Sequence, residues 1–159
     1  MWSIGIYTGD SPFQLRGAAN NPVLRNTDVT DIEAEFVADP FMLHADGRWH
    51  MFFEVWNRET QRGVIALATS HDGFTWSYQQ VVLEESFHLS YPYVFEWQGE
   101  YYMIPETLGA SAVCLYRADE FPTRWSRQQN LMAGAYADPS LVRYNDLWWL
   151  FTCTAPYQH

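Results

Sequence analysis

The stretch Ala38-Asp39-Pro40-Phe41-Met42-Leu43-His44-Ala45-Asp46-Gly47-Arg48-Trp49-His50-Met51-Phe52-Phe53-Glu54 decides the fold, because its plan is written three times. An Asp-Pro step opens an apolar run, Asp-Gly divides it from a second run rich in aromatics, and a glutamate closes it. Asp-Gly between two apolar runs predicts a hairpin, since glycine accepts the positive φ of a tight turn. About 50 residues on, Tyr91-Pro92 opens Tyr93-Val94-Phe95, Gln98-Gly99 stands at the turn, and Glu106 closes the unit. The third copy has Asp138-Pro139, then Ser140-Leu141-Val142, then Asn145-Asp146, with Cys153 in the place of the glutamate. Such a repeat of short β-runs is the pattern of propeller blades or another radial array.

Working outward, each hairpin supplies the inner two strands of a blade. Val64 to Ser70 and Ala112 to Ala118 predict third strands, running on to Trp76 and Trp125. Outer strands follow near Val81-Val82-Leu83 and Asn130-Leu131-Met132. Trp76 and Trp125 read as packing anchors between blades. At the N-terminus, Ile4 to Phe13 mirrors Ile65 to Phe74 position by position, and Asn21-Pro22-Val23-Leu24 is a candidate outer strand. The expected organisation is one all-β, propeller-like domain over residues 1–159 with blades of four antiparallel strands. Whole blades lie at 36–84 and 88–133, and the two ends share a third, with outer strands at 1–24 and inner strands at 136–159. About three blades fall short of the four to eight that close a ring. Open strand edges invite association. Two chains exchanging terminal strands would build a six-bladed ring, so a homodimer is the expected assembly.

Composition narrows the partners. Hydrophobic residues make up 48% and aromatics 18%, which favours β structure. Nine basic against 19 acidic residues give a net charge of −10. That charge repels phosphate backbones and anionic lipid, so neither nucleic acid nor membrane is expected as a partner. No apolar run is long enough for a transmembrane helix, and Met1-Trp2-Ser3-Ile4 lacks the basic start of a signal peptide, so the expected location is cytoplasmic. Cys114 and Cys153 form no CxxC pair and read as free. His44, His50, His71 and His159 show no metal-ligand spacing, and no metal site is expected from them.

In an inner hairpin, the start of the first strand and the end of the second lie at the same end. Asp39 with Glu54, Tyr91 with Glu106, and Asp138 with Cys153 should therefore ring one opening. Carboxylates gathered in this way suit glycoside hydrolysis, which needs an acid for the leaving oxygen and a second carboxylate for water or carbon. Crowding also raises their proton affinity. Glu54 and Glu106 follow strongly apolar strands and should be partly buried. Asp39 and Asp138 have a second reading, as acceptors of backbone N–H groups at strand starts. His88 is a candidate to hold a sugar hydroxyl or to support a channel cation such as calcium, and equally a structural loop residue. Trp56 and Tyr136 are candidates to stack on a sugar face, with core packing the alternative.

Ala38-Asp39-Pro40-Phe41, Phe52-Phe53-Glu54-Val55, Ala66 to Gly73, Phe87-His88-Leu89-Ser90-Tyr91-Pro92-Tyr93-Val94 and Tyr102-Met103-Ile104-Pro105-Glu106-Thr107 together resemble one domain type. It is the glycosidase-like five-bladed propeller at the N-terminus of plant glucosamine inositolphosphorylceramide transferases. More distantly, the chain is similar to arabinanase, β-xylosidase and fructosidase propellers. Trp2 to Gly9 and Ala137-Asp138-Pro139-Ser140 also fit. The resemblance implies an oligosaccharide or glycan as ligand, with Asp39 as base, Glu106 as acid, and Glu54 and Asp138 as supporting charges. Tyr91 stands where arabinanase-type enzymes have a second Asp that tunes the acid. Full members are about twice as long, with five blades, so the resemblance covers their first part. A non-catalytic, self-assembling module of truncated propeller origin is the alternative reading.

Overall fold

Short β1 (Tyr7–Thr8) and β2 (Arg16–Gly17) come first in the computed structural model, which describes residues 2–154. A whole blade follows: β3 (Ala34–Ala45), β4 (Arg48–Asn57), β5 (Arg62–Ser70) and β6 (Ser77–Leu83), antiparallel and adjacent in chain order. The second blade repeats it with β7 (Ser90–Trp97), β8 (Glu100–Glu106), β9 (Ala112–Glu120) and β10 (Arg124–Ala133). Last comes the hairpin of β11 (Tyr136–Tyr144) and β12 (Leu147–Thr154), which packs along β7 and β8. His159 and the end of the expected third unit lie outside the described residues.

Each inner hairpin turns on two residues of positive φ. These are Asp46 and Gly47 (51° and 70°), Gln98 and Gly99 (53° and 81°), and Asn145 and Asp146 (50° and 58°). Two left-handed residues make the turn whose twist matches that of the strands. Glutamine is the poorest fit among these, because its Cβ crowds the following carbonyl and its side chain cannot close a short local hydrogen bond. Gln98→Asn is expected to stabilise the domain by about 0.5–1 kcal/mol. Urea denaturation would show it as a higher midpoint at unchanged slope.

Period-two alternation gives each sheet two faces. Phe52, Ile65 and Leu67 of the first blade meet Met103, Tyr116 and Trp125 of the second. Trp125 stands edge-on to Phe52 at 5.4 Å, in the seam between blades. On the opposite face, Met51, Phe53, Val55, Ala66 and Ala68 meet Ile4 and Leu24 of the N-terminal segment, with Trp76 alongside. Both indoles are hooked alike: Trp76 Nε1 donates to the Gly73 carbonyl and Trp125 Nε1 to that of Pro122, each at 3.0 Å.

Two expectations need correction. Strands expected to begin after the Pro steps begin before them, because an extra residue is accommodated inside the strand and pairing resumes on both sides. Further, the blade expected to join the two ends is present as two halves in separate sheets, β1–β2 and β11–β12. Two whole blades stand between the halves, which flank opposite sides of the array, so the described residues do not close a ring. The N-terminal half is nonetheless built as a third and fourth strand: Ile4 pairs with Leu24 as Ile65 pairs with Leu83.

Candidate functional site

The same irregularity interrupts all three inner hairpins. Ala38 pairs with Glu54 and Phe41 with Phe52, so Asp39 and Pro40 together oppose one residue, Phe53. Tyr91-Pro92 and Asp138-Pro139 are placed in the same way in β7 and β11. These are β-bulges, which re-aim the side chain of the bulged strand. Asp39, Tyr91 and Asp138 take φ of 50°, 47° and 51°. Left-handed backbone at a non-glycine residue costs free energy, and such positions gather at functional sites.

The bulges link neighbouring blades at one rim. Tyr91 N–H donates to Asp39 Oδ2 (3.3 Å), and Asp138 N–H donates to Glu106 Oε2 (3.2 Å). The Tyr91 hydroxyl lies 3.2 Å from Ser140 Oγ. Thus Asp39 does accept a backbone N–H, though across blades rather than at its own strand. Asp138 contributes its amide as well as its carboxylate.

Electrostatics single out Glu54. It is 6% exposed, and burial, followed by the charges of Asp39 and Glu106, pushes its carboxyl up to about 8. Glu106 is half-buried and is also raised, first by burial; the Asp138 amide opposes that rise, while the charges of Asp138 and Asp39 add to it. Glu54 is therefore mostly protonated near neutrality, as a general acid or a hydrogen-bond donor requires. Sequence reading made Glu106 the acid and Glu54 a supporting charge; both carboxyls are raised, and Glu54 is the more deeply buried.

His88 closes this corner. Gly63 N–H donates to His88 Nδ1 (2.8 Å), which leaves Nε2 to carry the proton, 3.7 Å from Glu54 Oε1. Burial lowers the pKa of His88, while the charge of Asp39 works against that fall. Geometry alone would make His88–Glu54 an ion pair. The opposed pKa shifts, both caused first by burial, make it a contact between two neutral groups near pH 7, with Glu54 buried and His88 half-buried. The Trp56 ring lies 5.5 Å from that of His88 and is stacked on Phe36 at 5.7 Å, leaving it half-buried at the corner.

Tyr136 stands at the start of β11. It occupies the repeat position of Val37 and Leu89, both fully buried, and its ring packs over Gly134. Tyr136 itself is half-buried there. Among the remaining histidines, His44 packs on Trp49 and His50 is buried against Phe121. Among the described residues, no three His, Cys, Asp or Glu side chains are gathered to hold a metal ion. Gly63, which no sequence motif marked, emerges as a site residue.

The family described as "Glucosamine inositolphosphorylceramide transferase 1, N-terminal" matches residues 1–157. The chain belongs to that family. Glucosamine inositolphosphorylceramide transferase 1 of Oryza sativa subsp. indica is 40% identical over 94% of the chain, and that of Arabidopsis thaliana is 35% identical over the same share. The chain spans 22% of the length of each of these plant proteins. Among solved structures, Bacteroides ovatus Xyloglucan PUL GH43B aligns with 93% of the chain and 30% of its own length, at a TM-score of 0.69 and 12% identity. Bombyx mori GH32 β-fructofuranosidase BmSUC1 aligns with 87% of the chain and 33% of its own, at 0.61 and 18%. At these identities the likeness is one of fold, and it makes the blades of this family member those of a glycosidase-like propeller. No helix among its described residues is long and apolar enough to cross a membrane.

Proposed function

We propose that this domain binds a glycan at the rim where Asp39, Glu54, Glu106 and Asp138 converge. One observation carries the reading: a buried carboxyl, Glu54, pushed up to about 8, stands among three further carboxyls, so a donor and acceptors for sugar hydroxyls are set side by side. Trp56 and His88 supply an apolar and a polar wall beside it. The chain's net charge of −10 disfavours anionic sugars and favours neutral or amine-bearing ones. The fold neighbours include a β-fructofuranosidase solved with sucrose, and the plant relatives are named for a glucosamine-bearing lipid; both support a sugar as ligand.

Hydrolysis is the second reading, favoured by the same pairing of a raised acid, Glu54, with a carboxylate, Asp39, that could activate water. One experiment addresses both. Arabino-, xylo- and fructo-oligosaccharides and a glucosamine oligomer would be tested by thermal shift, with reducing-end release followed in parallel. A sugar bound only by the folded state raises the midpoint by mass action. The expected result is a shift with one sugar class that Asp39→Asn with Glu106→Gln removes. If no sugar shifts the midpoint, the glycan reading fails. Reducing ends released by the parent and not by Glu54→Gln would move the assignment from binding to catalysis.

A further inference from the structure

The seam between the two whole blades holds an imidazole that the rim does not use. His50 stands two residues before Phe52 in β4, on the same face, and is 6% exposed. The Phe121 ring, from the turn between β9 and β10, lies 4.9 Å from it at 68°. Tyr101 of β8 is stacked on Phe121 at 3.8 Å. Among the described residues neither nitrogen of His50 has a hydrogen-bond partner. Buried polar side chains are nearly always bonded, so one that is not calls for an explanation. Both blades are whole, and these surroundings belong to residues 34–133 alone.

The neighbours on every side offer a charged ring little support. Arg48 and His44 of its own blade oppose a proton there, whereas Asp46 favours one. The Ala45 carbonyl also favours it, without reaching hydrogen-bond geometry. Across the sheet stand Leu43 and Thr69, both uncharged. The second blade brings Phe121 and, stacked on it, the phenol of Tyr101. Burial outweighs the rest and lowers the pKa of His50. An imidazolium at this place would be a charge without a partner in an apolar seam, which is costly. Above the ordinary histidine value of 6.5 the ring is neutral in the folded and unfolded chain alike and has no effect. Below it the unfolded chain takes up a proton that the folded one refuses, so stability falls toward acid.

We propose that His50 is an acid-sensitive latch: a proton taken up there parts the two blades along their seam and loosens the rim. The rim lies at the other end of the same seam, where Tyr91 N–H reaches Asp39 and His88 faces Glu54. Glu54 follows His50 by four residues in β4, about 13 Å along the strand. The latch does not depend on whether a glycan binds at that rim.

Trp125 Nε1–H reports the seam, because it is bonded to the carbonyl of Pro122, next to Phe121. Its signal, the exchange of the Tyr91 amide and the melting midpoint would be followed from about pH 7.5 to 4.5. The parent would be compared with His50→Gln and His50→Leu. Toward acid, the parent's Trp125 signal should broaden and its Tyr91 amide exchange faster, while both variants keep the neutral pattern. The parent's midpoint should also fall more steeply than theirs. Glu54, Glu106 and His88 titrate in all three proteins, so the difference belongs to His50. Glutamine stays polar and cannot charge, so it carries the test if leucine unfolds the domain. Midpoints that fall with one common slope overturn the proposal, as does a His50 ring that titrates at the ordinary value with Trp125 unmoved. A Trp125 signal that moves without any change in Tyr91 exchange overturns the link to the rim.

Discussion

Glu54→Gln is expected to stabilise the domain at neutral pH, by an amount that grows as the pH rises. Folded, the Glu54 carboxyl releases its proton at about 8; unfolded, it does so near the ordinary glutamate value of 4.5. Below the lower value both states hold the proton and the group has no effect on stability. Between the two, the unfolded chain releases a proton that the folded one keeps, so stability falls with each pH step and the loss is complete above about 8. Each tenfold change in proton affinity is worth about 1.4 kcal/mol. With allowance for water reaching an open funnel, the penalty at pH 8 is on the order of 2–4 kcal/mol. Glutamine keeps the shape and cannot ionise. Melting the two proteins from pH 4 to 9 should give coincident midpoints at the acid end and a gap that widens and then levels. Parallel curves would mean that Glu54 ionises normally and that the funnel is wet. Glu106, raised in the same direction, adds a slope of the same sign to both curves.

How much of this was legible beforehand follows from what a repeat encodes. Asp46-Gly47, Gln98-Gly99 and Asn145-Asp146 fixed three hairpins, because positive φ at two successive residues admits few residue types. The third strands were visible as the apolar runs Val64 to Ser70 and Ala112 to Ala118, which β5 and β9 contain. The mirrored N-terminus was legible as strand chemistry, and Ile4 is bridged to Leu24. Its neighbour was not legible. Which face a strand pair covers depends on which apolar surface lies nearest in space, and here the first blade offered Phe53 and Val55.

The site was legible as a set of residues and not as a mechanism. Spacing alone placed Asp39, Glu54, Glu106 and Asp138 at one rim, since hairpin geometry carries strand starts and ends together. It could not show that Asp39, Tyr91 and Asp138 are bulged, because Asp-Pro and Tyr-Pro are equally good strand openers and the extra residue appears only in the register. Nor could it rank the acids. Burial differs between them in a way spacing does not encode, and Glu54 is packed against His88, 34 positions along the chain. Tyr136, for which the sequence left stacking and packing both open, is half-buried with its ring over Gly134.

Gly63→Ala should be strongly destabilising, although no turn requires this glycine. A Cβ there would lie 2.7 Å from both Glu54 Oε1 and His88 Cε1, and closer still to the Leu89 carbonyl oxygen. The side chains could yield; the backbone oxygen is held, because Leu89 N–H is itself bonded to the Gly63 carbonyl at 3.0 Å. Relief therefore means moving β5 away from the 88–89 segment, at an overpacking cost of about 2–3 kcal/mol. That movement would also lengthen the Gly63-to-His88 hydrogen bond that fixes the imidazole tautomer. Gly47→Ala is the informative contrast: nothing lies within 4 Å of its Cβ, and only its φ of 70° is strained, so it should cost about 1 kcal/mol and leave the rim intact. Urea denaturation and nitrogen-15 spectra of His88 separate the two. Gly63→Ala should lower the midpoint and shift the ring signals toward a tautomer mixture, whereas Gly47→Ala should lower the midpoint alone. If Gly63→Ala melts as the parent does and the His88 signals do not move, the close seating of β5 against His88 is wrong, and the burial assigned to Glu54 goes with it.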